Sequence, residues 1–295
     1  MMNRQQDYEF TPPQWVDEFL QTRPHDQHSE SLPAIFATCD RLFHYIQAVF
    51  GKGHEIPQIR VRHKNHVQAE TAFTVVNITT GLIDLCLNTK FLPLDSERIP
   101  FATGTPELNQ LGRHIMMSWI VSHEYYHIVR AHDGVQDDFT DVHTRHALER
   151  DADLMATAAI YRLLQRDLKG RMPDPVVRQL AFYLIFFSIR HLPGGAEDGT
   201  HPEIGVRLFG IATKICHLQE DNSRPAEAGD EHFEAIIHMV IKCELAYQAE
   251  NPEVQRNSGI FKLLTDSTNK PWLATIDRWE NKVKQEVKKL SQTPT

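Results

Sequence analysis

Apolar residues recur at helical spacing through much of the chain. The clearest stretch runs from Thr105 to Ala131, where Leu108, Leu111, Ile115, Trp119 and Ile120 line one face. Thr105 is placed to cap this helix, with Pro106 at its first position and Glu107 in its first turn. A second helical pattern follows the acidic loop Asp133 to Asp138 and runs from about Asp141 to Lys169. An earlier helix is expected from Leu32 to Phe50, ended by Gly51-Lys52-Gly53. Leu180 to Ile189 is an apolar run of ten residues bracketed by Arg178 and Arg190. A membrane helix needs about twenty such residues, so this run predicts a buried core helix and no integral membrane segment.

Strand signals are few. Gln58 to His63 alternates as a short strand, and Ala72 to Thr79 predicts a second that can pair with it in a small sheet. The fold class is therefore α+β and predominantly helical. Pro193 to Gly199 marks a loop that delivers Thr200-His201-Pro202 to the start of the next helix. Residues 1–30 read as a loosely ordered arm, with Phe10, Trp15, Phe19 and Leu20 as docking points. The polar stretch Gln219 to Glu231 suggests a boundary between a main domain, 31–220, and a C-terminal helical extension, 221–295, in which Trp272 to Leu290 is amphipathic.

Composition narrows the class. Of 295 residues, 41% are hydrophobic and 24% charged, enough for one large core. The net charge of −8, without a Lys/Arg stripe, argues against nucleic-acid binding. The polar N-terminus lacks the apolar stretch of a signal peptide, which suggests the cytoplasm. Cys39, Cys86, Cys216 and Cys243 are widely spaced in apolar surroundings and read as reduced core thiols.

Chemistry enters at His123-Glu124-Tyr125-Tyr126-His127, a HExxH motif. Residues four apart on a helix lie about 40° apart around its axis, so the two imidazoles face one point. His123 and His127 continue the apolar stripe and so point inward. Two neutral imidazoles can bind zinc while Glu124, beside them, takes a proton from water. Such a site needs a third protein ligand. Glu149 on the second helix is the candidate, and Asp153, one turn later on the same face, can hold a ligand imidazole in its tautomer. The longer metzincin pattern fails, since Arg130 and Asp133 stand where it requires Gly and His. His132 lies about 140° round the helix from His127, so a continuing helix keeps it off the same metal.

In order along the chain, Ala72-Phe73 and Asn77 to Asp84, His123 to His127 with His132, Glu149 to Asp153, and Thr200-His201-Pro202 with Arg207 resemble the gluzincin metallopeptidases of the CAAX-prenyl-protease-like group, of the HtpX and Oma type. The resemblance covers roughly Ala69 to Arg207. A second similar group is the phage-exclusion peptidase Lit and its relatives. The first resemblance implies a zincin-like fold with a small sheet packed over the HExxH helix, whose exposed edge strand can bind extended substrate. It also implies one zinc per chain held by His123, His127 and Glu149, with Glu124 as general base and Asp153 behind the ligands. His201 is implied as an oxyanion donor, and Arg207 as a contact for substrate or a carboxylate. The bulky rings of Tyr125 and Tyr126 bear on the shape of the cleft, and His63, Asn65 and His66 are candidates to line it.

The leading expectation is a soluble zinc endopeptidase acting on a protein or peptide, its oligomeric state open. The alternative is a catalytically silent, zinc-stabilised module that binds proteins in the same cleft.

Overall fold

The computed structural model describes residues 31–50, 54–94, 106–132, 142–193, 201–218 and 230–253. These form helix α1 (Leu32–Phe50), strands β1 (Gln58–Arg62), β2 (Ala69–Ala72) and β3 (Val75–Thr79), and helices α2 (Thr80–Asn88), α3 (Pro106–Val129), α4 (Val142–Asp167), α5 (Asp174–His191), α6 (Ile204–His217) and α7 (Asp230–Glu250). The N-terminal arm, the Thr105 cap, the acidic loop after α3, most of the Gln219–Glu231 boundary and the Trp272–Leu290 helix lie outside the described residues.

Helix α3 is the hub. It packs against α1 on one side and α4 on another, with α5 and strand β2 also in contact. Most of its stripe is buried as the periodicity predicts: Leu108, Ile115, Trp119 and Ile120 are all 5% exposed or less, while Leu111 is only partly buried. Helix α5 is buried along its whole middle, from Val177 to Ile189. It is sandwiched among α3, α4, α6 and α7. Among the described residues no helix is long and apolar enough to cross a membrane. All four cysteines are buried and free, and burial pushes the Cys39 thiol up to about 12.

The sheet differs from its expected form. Its order is β1-β3-β2, with β1 parallel and β2 antiparallel to β3. The single strand expected from Ala72 to Thr79 is broken by a reversal at Phe73, whose φ is +56°. The segment before that turn folds back as β2, an edge strand lying over α3.

Helix α2 follows β3 without a loop, because the Thr79 hydroxyl caps it by accepting from Leu82 N–H at 3.2 Å. The same junction clamps the loop before β2. Thr80 Oγ1 donates to Lys64 C=O at 2.8 Å, Thr79 Oγ1 donates to His66 C=O at 2.6 Å, and Gly81 N–H donates to Lys64 C=O at 2.9 Å. The backbones are so close here that a Cβ on Gly81 would sit 2.2 Å from Asn65 O, which leaves room for glycine alone.

Candidate metal centre

Because His123 and His127 stand one turn apart on α3, their rings meet, with Nε2 atoms 3.2 Å apart. Glu149 of α4 reaches both: Oε2 lies 3.1 Å from His123 Nε2, and Oε1 lies 3.6 Å from His127 Nε2. Four-coordinate zinc with bonds of about 2.0–2.1 Å spaces its ligand atoms about 3.3 Å apart. The two imidazole nitrogens and the carboxylate thus form a donor set that fits such an ion, and among the described residues they are the group drawn together this way.

Each imidazole is backed on its far side. Asp153 Oδ1 lies 2.9 Å from His123 Nδ1. Arg207 of α6 holds Asp153 through two bonds, Nε to Oδ2 at 2.8 Å and Nη2 to Oδ1 at 2.9 Å. Its guanidinium also lies 5.7 Å from the centre of the Trp119 ring. Arg207 is therefore engaged with Asp153, the carboxylate role of the two that the sequence left open. Behind His127 stands His132, which the helical projection had set aside. Helix α3 ends at Val129, and Ala131, with φ +52°, turns the chain back so that His132 Nδ1 lies 3.0 Å from His127 Nδ1. No glycine or asparagine marks this reversal in the sequence.

A cavity of about 390 Å³ opens beside His123 and Glu124. His201 and Arg207 reach it, and Val67, Leu82, Ile120 and Leu192 supply apolar wall. His201 Nε2 lies 3.0 Å from Glu149 Oε2, with about a third of its side chain exposed. It does not sit on the helix N-terminus as expected: α6 begins at Ile204, with Glu203 as its N-cap. His63, Asn65 and His66 are exposed loop residues. The neighbouring Val67, Gln68 and Ala69 line the cavity instead. The signal that could have found them is Thr79-Thr80-Gly81, whose bonds hold that loop. Tyr125 and Tyr126 leave the cleft open, since both are fully buried and the Tyr125 ring packs 5.0 Å from that of Phe43 in α1.

The electrostatics of the cluster are polarised. Burial pushes the Glu124 carboxyl up to about 7, with Glu149 adding to the rise and His123 opposing it. Burial disfavours charge on His123, but Asp153 and Glu149 outweigh it and hold that imidazole up to about 10. His127 is pushed the other way, to about 3, by burial and by its histidine neighbours, despite Glu149. Burial alone would raise Glu149 and Asp153. The surrounding histidines instead hold Glu149 well below the usual range, and Arg207 with His123 holds Asp153 at about 2. Asp153 and Glu149 thus favour positive charge at His123, a place that a proton or a metal ion can fill. The arrangement can therefore trade a proton for a metal ion.

Residues 114–228 match the model of the family described as Peptidase U49, and this stretch contains His123, Glu124, His127, Glu149, Asp153, His201 and Arg207. The match supports a peptidase, a hydrolase acting on peptides or proteins. Neither the curated proteins nor the solved structures contain a match to the chain.

Proposed function

We propose that this chain is a soluble, cytoplasmic, zinc-dependent endopeptidase of the gluzincin type, holding one zinc through His123, His127 and Glu149. The observation that carries the reading is the convergence of those three side chains, with closest nitrogen and oxygen contacts of 3.1 to 3.6 Å, and Glu124 on the wall of the adjoining cavity. Zinc, when bound, acidifies a ligated water to a pKa of about 7 and polarises the scissile carbonyl.

The protein's own groups do the rest. Glu124 takes the proton from the attacking water and returns it to the leaving nitrogen as the peptide bond breaks. His201 donates an N–H to the oxygen on which negative charge develops. Asp153, fixed by Arg207, orients His123. The outer edge of β2, unpaired among the described residues, can align an extended substrate by main-chain hydrogen bonds, while the apolar wall receives one of its side chains.

The test pairs metal content with cleavage. Purified protein should carry about one zinc per chain by elemental mass spectrometry and should cleave a denatured protein substrate. Glu124→Gln should keep the zinc and lose about 10²–10⁴-fold in rate. Protein that takes up no zinc when it is supplied, or a Glu124→Gln variant that cleaves at the wild-type rate, would show the mechanism to be wrong.

A further inference from the structure

We infer that His132, together with Asp151 and Arg130, is a positioning relay that sets the tautomer of His127 so that its Nε2 lone pair is free for the metal. The inference rests on the zinc reading above.

The geometry leaves little choice about where the protons sit. His127 Nδ1 and His132 Nδ1 are 3.0 Å apart, a distance that requires one hydrogen between them. His132 is fully buried, and its other nitrogen, Nε2, lies 3.2 Å from Asp151 Oδ2. Arg130 donates to that same carboxylate through Nε at 2.9 Å. A carboxylate paired with a guanidinium is an acceptor, so the His132 proton belongs on Nε2. His132 Nδ1 is then an acceptor too, and the hydrogen between the rings must come from His127 Nδ1. That leaves His127 Nε2 unprotonated, facing His123 Nε2 and Glu149.

The opposite polarity fails at the far end, where it sets an imidazole lone pair against the Asp151 carboxylate. A His132 ring that donates at Nε2 and accepts at Nδ1 satisfies both of its contacts at once.

Both histidines of the donor set thus rest on an aspartate braced by an arginine. Asp153 and Arg207 act on His123 directly. Asp151 and Arg130 act on His127 through His132. The two aspartates are alternate residues of one turn of α4. The left-handed backbone at Ala131, which costs of order 1 kcal/mol in a residue with a Cβ, is the turn that brings His132 into this position.

The experiment measures zinc affinity by competition with a chromophoric chelator, and ring protonation by nitrogen-15 NMR of histidine-labelled, zinc-loaded protein. His132→Phe keeps a ring but neither nitrogen and should weaken zinc binding about 10–100-fold. His132→Asn restores an acceptor near the Nδ1 position and should recover most of that loss. In the wild-type spectrum the His127 proton should be on Nδ1 and the His132 proton on Nε2. A folded His132→Phe protein with wild-type zinc affinity, or a wild-type His132 protonated on Nδ1, would overturn the relay while leaving the zinc reading intact. Wild-type protein that binds no zinc would remove both. Should His132→Phe fail to fold, the wild-type protonation pattern decides alone.

Discussion

Around α5 and α7, buried cations and anions are matched one to one. Arg190 donates to Glu244 with 6% and 0% of their side chains exposed, and Arg178 pairs with Asp174 at 2.5 Å. Around α3 and α4, Glu124, Glu149, Asp151 and Asp153 gather near Arg130 and Arg207, and the carboxylates favour positive charge on His123 among them. The first arrangement is closed, so it can do little beyond hold helices together. The second sets Glu149 against three histidines and borders a cavity, so it can take up a proton or a cation. Buried charge alone does not mark a functional site. Buried charge that a mobile proton or cation can reach does.

The largest effect expected from breaking this contrast lies in the closed region. Glu244→Ala strands Arg190 in the core and should destabilise the protein by about 3–5 kcal/mol in denaturant unfolding. Zinc uptake by the folded fraction should stay at the wild-type level, and a parallel loss of affinity would erase the distinction between the two regions. The open region should respond to its ligand instead. Free zinc at about 100 times its dissociation constant should stabilise the wild type by about 2.7 kcal/mol, a gain that a chelator reverses and that His127→Ala abolishes.

A third test uses the other end of α3, away from both networks. Burial, aided by the charges of Arg41 and Arg113, pushes His114 down to about 4 from an ordinary value of 6.5. The unfolded chain therefore binds this proton first as pH falls. The His114 contribution is complete above pH 6.5 and is lost progressively as the pH falls from there through about 4. His114→Gln should flatten that part of the stability profile, and an unchanged slope would refute the assignment. The smallest effect belongs to Phe73, 89% exposed and held at φ +56°. Phe73→Gly should stabilise the protein by about 1 kcal/mol by thermal unfolding, because glycine adopts that conformation without strain.

What could be read in the sequence was what depends on local period. Pro106, the apolar stripe and the four-residue spacing of His123 and His127 all follow from one helix. Glu149 and Asp153 follow from the next, since residues four apart must share a face. Strand β2 escaped because Ala69-Glu70-Thr71-Ala72 carries no apolar alternation and all four residues are partly exposed. Helix α2 escaped because a strand runs into it with no intervening turn residues. The Arg207 to Asp153 bond joins residues 54 apart in sequence, and the His132 contact depends on a left-handed alanine. Neither has a period to betray it.

The two inner positions of HExxH face away from the chemistry, into the core shared with α1. Tyr125 lies against Phe43, and both rings are at most 2% exposed. The histidines therefore inherit their aim from a contact that touches neither donor atoms nor substrate. As such a protein diverges, a change at Phe43 has to be answered at Tyr125, or α3 turns and carries His123 and His127 with it. The variation seen at these two positions among descendants should be paired, each lineage keeping its own matched volumes, while the metal-facing side of the helix stays the same.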